Sequence, residues 1–391
     1  MIDRRGILLL GMGTACATPL HATAPSHKEL VFPRDAGAHP DYAIEWWYVT
    51  GYAMDEPTPG LPKTVDTPSG GSAVREATSV GAAGSAKAAF GFQVTFFRNR
   101  IPKTQEMKSG LAARQLVFAH AALTDVKGRK LWHDQRMARS SGAEPQDNPN
   151  DSAWTSTRDT SIQLRDWTLT RQGTDLQAHI NAKDFSLALQ LAASQPVLLQ
   201  GERGLSQKGP DSAQTSYYYS LPHLQVQGEI VLQGKRFTVG AGSTAWLDHE
   251  WSQQIMPPQA VGWDWLGINL FDGSALTVFR LRDKHGNAVW DGGSFRAKDK
   301  LFAFQRGEVV FKPQRNWTSP LSRASYPVEW IVRTPADFYT VRALVDNQEM
   351  DSRASTGGIY WEGLCEVWDS NQHLVGRGYL EMTGYASPMR M

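Results

Sequence analysis

The strongest constraint in this sequence is a two-residue period. FSLALQL (185–191), LQVQGEIVL (224–232) and YPVEWIV (326–332) alternate apolar with polar side chains. Successive side chains of an extended strand point to opposite faces, so this period suits a half-buried strand and not a helix. AFGFQVTFFR (89–98), LVFAHAAL (116–123), SIQLRDWTL (161–169) and WLGINL (265–270) are further strand candidates. Turn signals such as KHGN (284–287) and DNQE (346–349) separate the later ones. No long stretch carries helical spacing. Many short strands broken by turns predict an all-β sandwich or barrel.

At 391 residues the chain is long enough for two domains, each with its own core. Each half holds enough strands for one closed barrel of roughly eight. The turn-rich LQGKRFTVG (232–240) marks the expected boundary, giving an N-terminal barrel over 25–233 and a C-terminal barrel over 234–391. A single very large sandwich is the alternative. Residues 56–88 are rich in Pro, Gly, Ser and Ala, with almost no large apolar residues. They read as a disordered insertion between two strands.

The N-terminus, MIDRRGILLLGMGTACATPLHATA, reads as a signal peptide over residues 1–24. Arg4 and Arg5 precede a short apolar run, and Ala22-Thr23-Ala24 forms an A-x-A cleavage site. The paired arginines suggest twin-arginine export, hence a periplasmic or secreted protein. Cys16 offers the alternative of a lipoprotein, but Gly13-Thr14-Ala15 before it lacks the usual aliphatic residue. The apolar run is too short to span a bilayer, so no transmembrane segment is expected. Cleavage after Ala24 leaves Cys365 alone, which excludes a disulfide within the mature chain. Cys365 lies in a strand-like stretch and reads as a buried structural thiol.

The 40 basic and 39 acidic residues nearly cancel, and no basic stripe is present. Nucleic acid is therefore not an expected partner. Several motifs fail on context. GAGSTA (240–245) runs into WLDHEW and not into a helix, so it is no dinucleotide fingerprint. GERGLSQKG (201–209) lacks phosphate-loop spacing, and neither H-E-x-x-H nor G-x-S-x-G occurs. The ten histidines are dispersed, so no metal site and no cofactor are expected. His39, His120 and His249 are either polar pocket groups or satisfied structural histidines.

The informative feature is acid paired with aromatic residues. EWW (45–47), WLDHEW (246–251), WDW (263–265) and YWEG (360–363) repeat it among fourteen tryptophans. If 246–251 is extended, Trp246, Asp248 and Glu250 share one face, while His249 and Trp251 share the other. Likewise Glu45 and Trp47 oppose Trp46 and Tyr48, and one of those faces should line a cavity. Two carboxylates alternating on a strand lie roughly 7 Å apart. Each disfavours ionisation of the other, and desolvation acts in the same direction. A neutral carboxylic acid can protonate an isolated carbon–carbon double bond, and aromatic faces stabilise the resulting cation. Asp248, Glu250 and Asp264 are the candidate acids. Glu45, Trp46, Trp47, Tyr48, His120, Tyr218, Trp246, Trp251, Trp263, Trp265, Tyr360 and Glu362 are the candidate pocket residues. The competing reading is that the tryptophans fill cores and the acids pair with arginines.

FPRDAGAHPDYAIEWWYVTGY (32–52) resembles the opening of the hydroxyneurosporene synthase family, which comprises carotenoid 1,2-hydratases and AttH-like secreted proteins. The resemblance continues through FGFQVTFFR (90–98), FAHAALTD (118–125), LLQGERGLSQKG (198–209) and SYYYSLPHLQVQGEI (216–230). It extends over AWLDHEWS (245–252), GWDWLGINLFDG (262–273), YWEG (360–363) and GYLEMTGY (378–385). The chain is closest to the AttH-like secreted branch. Membership implies two tandem lipocalin-like (calycin) barrels. It also implies an apolar lipid or isoprenoid ligand, with C=C hydration as the activity of the characterised hydratases. Distant fungal relatives shape polyene intermediates. A non-catalytic carrier of such a ligand, or a secreted hydrolase, are the alternatives.

If residues 1–24 are removed on export, N-terminal sequencing of the periplasmic protein should begin at Pro25. A lipid-modified Cys16 at the mature terminus would contradict this.

Overall fold

The computed structural model describes residues 28–55, 87–107, 109, 112–144, 146–148, 151–254 and 256–389. The predicted signal peptide, and all of the predicted insertion except Lys87 and Ala88, lie outside these residues. The described chain contains no α-helix. It forms a 13-stranded and a 10-stranded antiparallel sheet, with short 3-10 turns at Arg34–Ala36 and Pro102–Thr104. Both sheets curl into barrels. In the first, Arg136 of strand Lys130–Ser140 crosses from one end of the strand order toward the other. Its guanidinium donates 2.6 Å to the Asn181 carbonyl and lies over the Trp167 ring.

The period-two reading holds where one face meets solvent. Phe185–Ala192 buries Phe185, Leu187, Leu189 and Leu191 and turns its other residues outward. It fails where the barrels meet. Phe90–Arg100, Gly262–Leu270 and Ile359–Trp368 are buried almost throughout, because one face fills their own barrel and the other packs on the neighbour. Trp47, Phe92 and Trp167 lie in the first core, and Trp330, Trp361 and Leu380 in the second. A third cluster, with Tyr48, Trp246, Trp265, Phe279 and Tyr379, lies between the two.

The expected boundary at 233/234 is displaced. Gln233 and Gly234 both have positive φ, 47° and 81°, and close a two-residue hairpin between Thr215–Leu232 and Lys235–Ser252. This is the twist-matched hairpin geometry, a turn within a sheet and not a linker. Lys235–Ser252 therefore belongs to the first sheet, between Ile44–Asp55 and Thr215–Leu232. The chain changes sheet between Ser252 and Gly262. A Cβ at Gly234 would meet nothing within 4 Å, so Gly234→Ala carries backbone strain alone. It should cost roughly 1–2 kcal/mol, read as a shift of the denaturant midpoint with an unchanged slope. No shift would contradict the assigned turn.

Candidate functional site

Sheet register builds the site. Across strands Ile44–Asp55, Lys235–Ser252 and Thr215–Leu232, Trp46 lies opposite Glu250 and Tyr218 opposite Glu250 again. Tyr48 and Ser220 lie opposite Asp248 in the same way. Directly opposed residues share a face, so these side chains form one wall. The second barrel supplies the other wall. Trp265 opposes Phe279 on one side and Glu381 on the other, and Glu381 opposes Glu362. Between the walls is a cleft with about 790 Å³ of space, its open mouth included. Its lining is mainly aromatic and aliphatic, yet among the described residues it holds four carboxyl groups, Asp248, Glu250, Glu362 and Glu381, against one cation, Lys208.

Asp248 is buried and accepts three hydrogen bonds. Oδ2 accepts from Tyr218 Oη, and Oδ1 from Ser220 Oγ and Trp246 Nε1, each at 2.6 Å. Trp265 Nε1 donates to Tyr218 Oη at 3.1 Å. Burial pushes the Asp248 carboxyl up to about 7, against the lowering effect of those donors and with a further push from Glu250. Glu381 also rises to about 7 through burial, opposed by the Trp263 indole N–H at 3.0 Å. Glu362 is driven well above the carboxylate range by burial and then by Glu381. Its Oε1 and the neighbouring Tyr48 Oη are buried without a hydrogen bond of acceptable geometry. Glu250 accepts from Ser216 Oγ and pairs with Lys208 Nζ at 2.9 Å.

Of the residues singled out in the sequence, Asp248, Glu250, Trp46, Tyr48, Tyr218, Trp263, Trp265, Tyr360 and Glu362 line this cleft. Trp246 lies directly behind it and holds Asp248. His120 is also behind the wall. Its ring nitrogens pair with Tyr360 Oη at 2.9 Å and Ser355 Oγ at 2.8 Å. The Ser355 hydroxyl donates to Gln135, so His120 Nε2–H donates to Ser355 and Nδ1 accepts the Tyr360 proton. Burial lowers His120 to about 3, consistent with this neutral form. Asp264 is elsewhere. Trp263 and Trp265 face the cleft, so strand alternation turns Asp264 into the second barrel. There it pairs with Arg280 at 2.7 Å and Arg282 at 3.1 Å and accepts from Tyr385. Glu381, Lys208, Thr95, Phe97 and Phe279 line the cleft but were not singled out. The one available signal was Glu381, an acid between Leu380 and Met382 in an apolar strand.

Glu45, Trp47 and Trp251 point into the first barrel. Glu45 is wholly buried and accepts from Arg98 Nε at 2.8 Å. Its carboxyl also meets His39 Nδ1 at 2.7 Å and His249 Nε2 at 2.9 Å. His39 Nε2 reaches Asp35 at 3.1 Å. Trp251 stacks on His39 and Trp47 on His249. Burial alone would raise Glu45, but Arg98, His249 and His39 outweigh it and hold the carboxyl well below its ordinary value. Among the described residues, His39, Glu45 and His249 are the one group whose donor atoms converge as metal ligands would, within 4.8 Å. Their chemistry fits a metal poorly. Both imidazoles already bond Glu45, and a bound cation would lie against the Arg98 guanidinium. The group is a structural network of buried charge and imidazoles.

Fold and site define a two-barrel protein with an acidic, aromatic-walled cleft between its barrels. A family model described as AttH-like matches residues 80–385, and the chain belongs to the AttH-like family. A protein of Nitrosomonas europaea whose crystal structure is described as AttH is 40% identical, with 93% of this chain and 99% of that chain covered and a TM-score of 0.77. Kievitone hydratase from Nectria haematococca shares the fold at 12% identity, covering 94% and 95%, with a TM-score of 0.64. CghA, in complex with Sch210972, does so at 13% identity, covering 90% of each chain, with a TM-score of 0.52. No curated protein matches the chain. The fold is thus a pair of lipocalin-like barrels, shared with kievitone hydratase. No helix among the described residues is long and apolar enough to cross a membrane.

Breaking the Glu45–Arg98 pair should destabilise the first barrel without unfolding it. Glu45→Gln strands a buried guanidinium and should cost about 3–5 kcal/mol. The pH dependence has a definite sign. His249 is lowered from 6.5 to about 4 and Asp35 from 3.8 to about 2, so both bind fewer protons folded than unfolded. Their contributions are present above those unfolded values and are lost as pH falls, for His249 between 6.5 and about 4 and for Asp35 between 3.8 and about 2. Thermal unfolding across this range should show that decline in the native protein and, between 6.5 and about 4, a decline at least as steep in Glu45→Gln, because Glu45 raises the His249 imidazole against its burial. A variant as stable as the parent would contradict the network.

Proposed function

We propose that the cleft binds an apolar lipid or isoprenoid and protonates one of its carbon–carbon double bonds. The observation that carries this is a set of buried carboxyl groups, Asp248 and Glu381 raised to about 7 and Glu362 raised well above its ordinary value, in an aromatic cleft whose one lining cation among the described residues is Lys208. A carboxylic acid in such surroundings retains its proton at neutral pH and can donate it. In the proposed reaction the alkene π pair takes that proton and forms a new C–H bond, leaving a carbocation on the neighbouring carbon. The faces of Trp46, Trp263 and Trp265 stabilise the cation. Water then attacks it and returns a proton to the carboxylate, giving hydration. Loss of a different C–H proton gives isomerisation. Kievitone hydratase is named for a reaction of the first kind, which supports hydration here. The same reading places the protein in the periplasm or outside the cell, on the strength of Arg4, Arg5 and the A-x-A site.

Asp248 is the favoured donor, and burial with the neighbouring Glu381 raises Glu362 well above its ordinary value. A serine or cysteine hydrolase mechanism finds neither residue in the cleft lining among the described residues. Incubation of an acyclic isoprenoid alkene in D₂O, with mass spectrometry of the product, tests the reading. One deuterium should be fixed on carbon, with the mass of water added in the hydration case. Asp248→Asn or Glu362→Gln should slow turnover by about 10²–10⁴-fold with the thermal midpoint retained. Full turnover in both variants would eliminate general-acid catalysis by these groups. A bound ligand of unchanged mass would point to carriage.

A further inference from the structure

Gln200 follows the short strand Leu198–Leu199, is buried, and does not line the cleft. Its amide bridges the two barrels. Nε2 donates to Ser220 Oγ of the first barrel and to Thr277 Oγ1 of the second, both at 2.9 Å. Oε1 accepts from Ser294 Oγ at 2.8 Å. Both amide hydrogens and the carbonyl are therefore committed. Ser220 has one proton. Because its oxygen accepts from Gln200, that proton is directed to Asp248 Oδ1. The same oxygen also accepts from Trp246 Nε1, so both acceptor positions of Oδ1 are filled. Oδ2 is different. It accepts only from Tyr218 Oη, whose own acceptor position takes the Trp265 indole N–H. One acceptor position on Oδ2 stays free at the cleft wall.

We propose that Gln200 is a positioning residue that closes Asp248 Oδ1 to protonation and thereby assigns the transferable proton to Oδ2. The chain of donors runs from Ser294 through Gln200 and Ser220 to the carboxyl. The site of the acidic proton is thus set by the docking of the second barrel on the first. The inference rests on Asp248 being the proton donor, as read above, but its test needs no substrate. The titratable groups facing Asp248 are Glu250 on its own strand, Tyr218 and Tyr48 on the flanking strands, Lys208 from a neighbouring loop, and Glu362 and Glu381 across the cleft. The variants alter none of them.

The full-length protein is labelled with ¹⁵N in its tryptophan indoles, and the Trp246 and Trp265 N–H resonances are assigned through Trp246→Phe and Trp265→Phe. Both resonances report the charge of Asp248 as pH is varied. In Gln200→Leu, Ser220 is free to turn away and the carboxylate loses an enforced donor. The titration midpoint should rise by about half to one pH unit, the scale of a weakened hydrogen bond to a charged group. Ser220→Ala should raise it at least as far. Gln200→Leu added to Ser220→Ala should raise it no further, because Gln200 acts through that hydroxyl. Ser294→Ala, a milder change, should shift the midpoint in the same direction and keeps the test open if Gln200→Leu fails to fold. An unmoved midpoint in Gln200→Leu and Ser294→Ala, or additive shifts in the double variant, would overturn the inference. Moved midpoints in a protein without turnover would count against the proposed reaction and not against this relay. Turnover that depends on Asp248, with unmoved midpoints, would count only against the relay.

Discussion

Everything in this molecule depends on residues 245–252 being buried on both faces. A strand in that position cannot send its polar residues to solvent. It must satisfy each on one side of the sheet or the other. The pleat sends Asp248 and Glu250 toward the second barrel and His249 and Trp251 into the first. The neighbouring strand repeats the division, with Trp46 and Tyr48 on one side and Glu45 and Trp47 on the other. One pleated interface therefore generates both a structural network and an acid-lined cleft from adjacent positions.

The two sides handle buried charge in opposite ways. Inside the first barrel Glu45 meets Arg98 and two imidazoles, so its ionised form is compensated and the carboxyl is held low. Across the sheet, Asp248, Glu362 and Glu381 share the cleft with one lysine, which is itself engaged with Glu250. Desolvation goes largely unanswered there, and the carboxyls rise. Compensated charge holds structure, whereas uncompensated carboxyls keep protons that can be transferred. Asp248 lies between these extremes, since burial raises it and three donors restrain it near neutrality.

Much of this was legible in the sequence. The alternation predicted the all-β fold and the division of 246–251 between two faces. What periodicity cannot give is which side of the sheet a face looks to. For that reason Glu45, Trp47 and Trp251 were grouped with the pocket although they point the other way. Asp264 was counted as an acid of the site because it stands between two tryptophans that do belong there, and alternation itself removes it. Composition near 233 does not separate a domain boundary from a hairpin, because Gln233-Gly234 makes the same mark whether it joins two domains or two strands. Lys208 left no signal, since its role depends on a loop meeting a strand 42 positions later at Glu250.

The central claim is that the cleft keeps protonated carboxyl groups at neutral pH, and infrared spectroscopy of the carboxyl C=O stretch tests it most directly. At pH 7 in D₂O the native protein should show a band from protonated buried carboxyl groups. Glu362→Gln and Asp248→Asn should each remove part of it, while Glu45→Gln, whose parent carboxyl is held ionised, should leave it unchanged. A native spectrum without a protonated-carboxyl band at neutral pH would contradict the account.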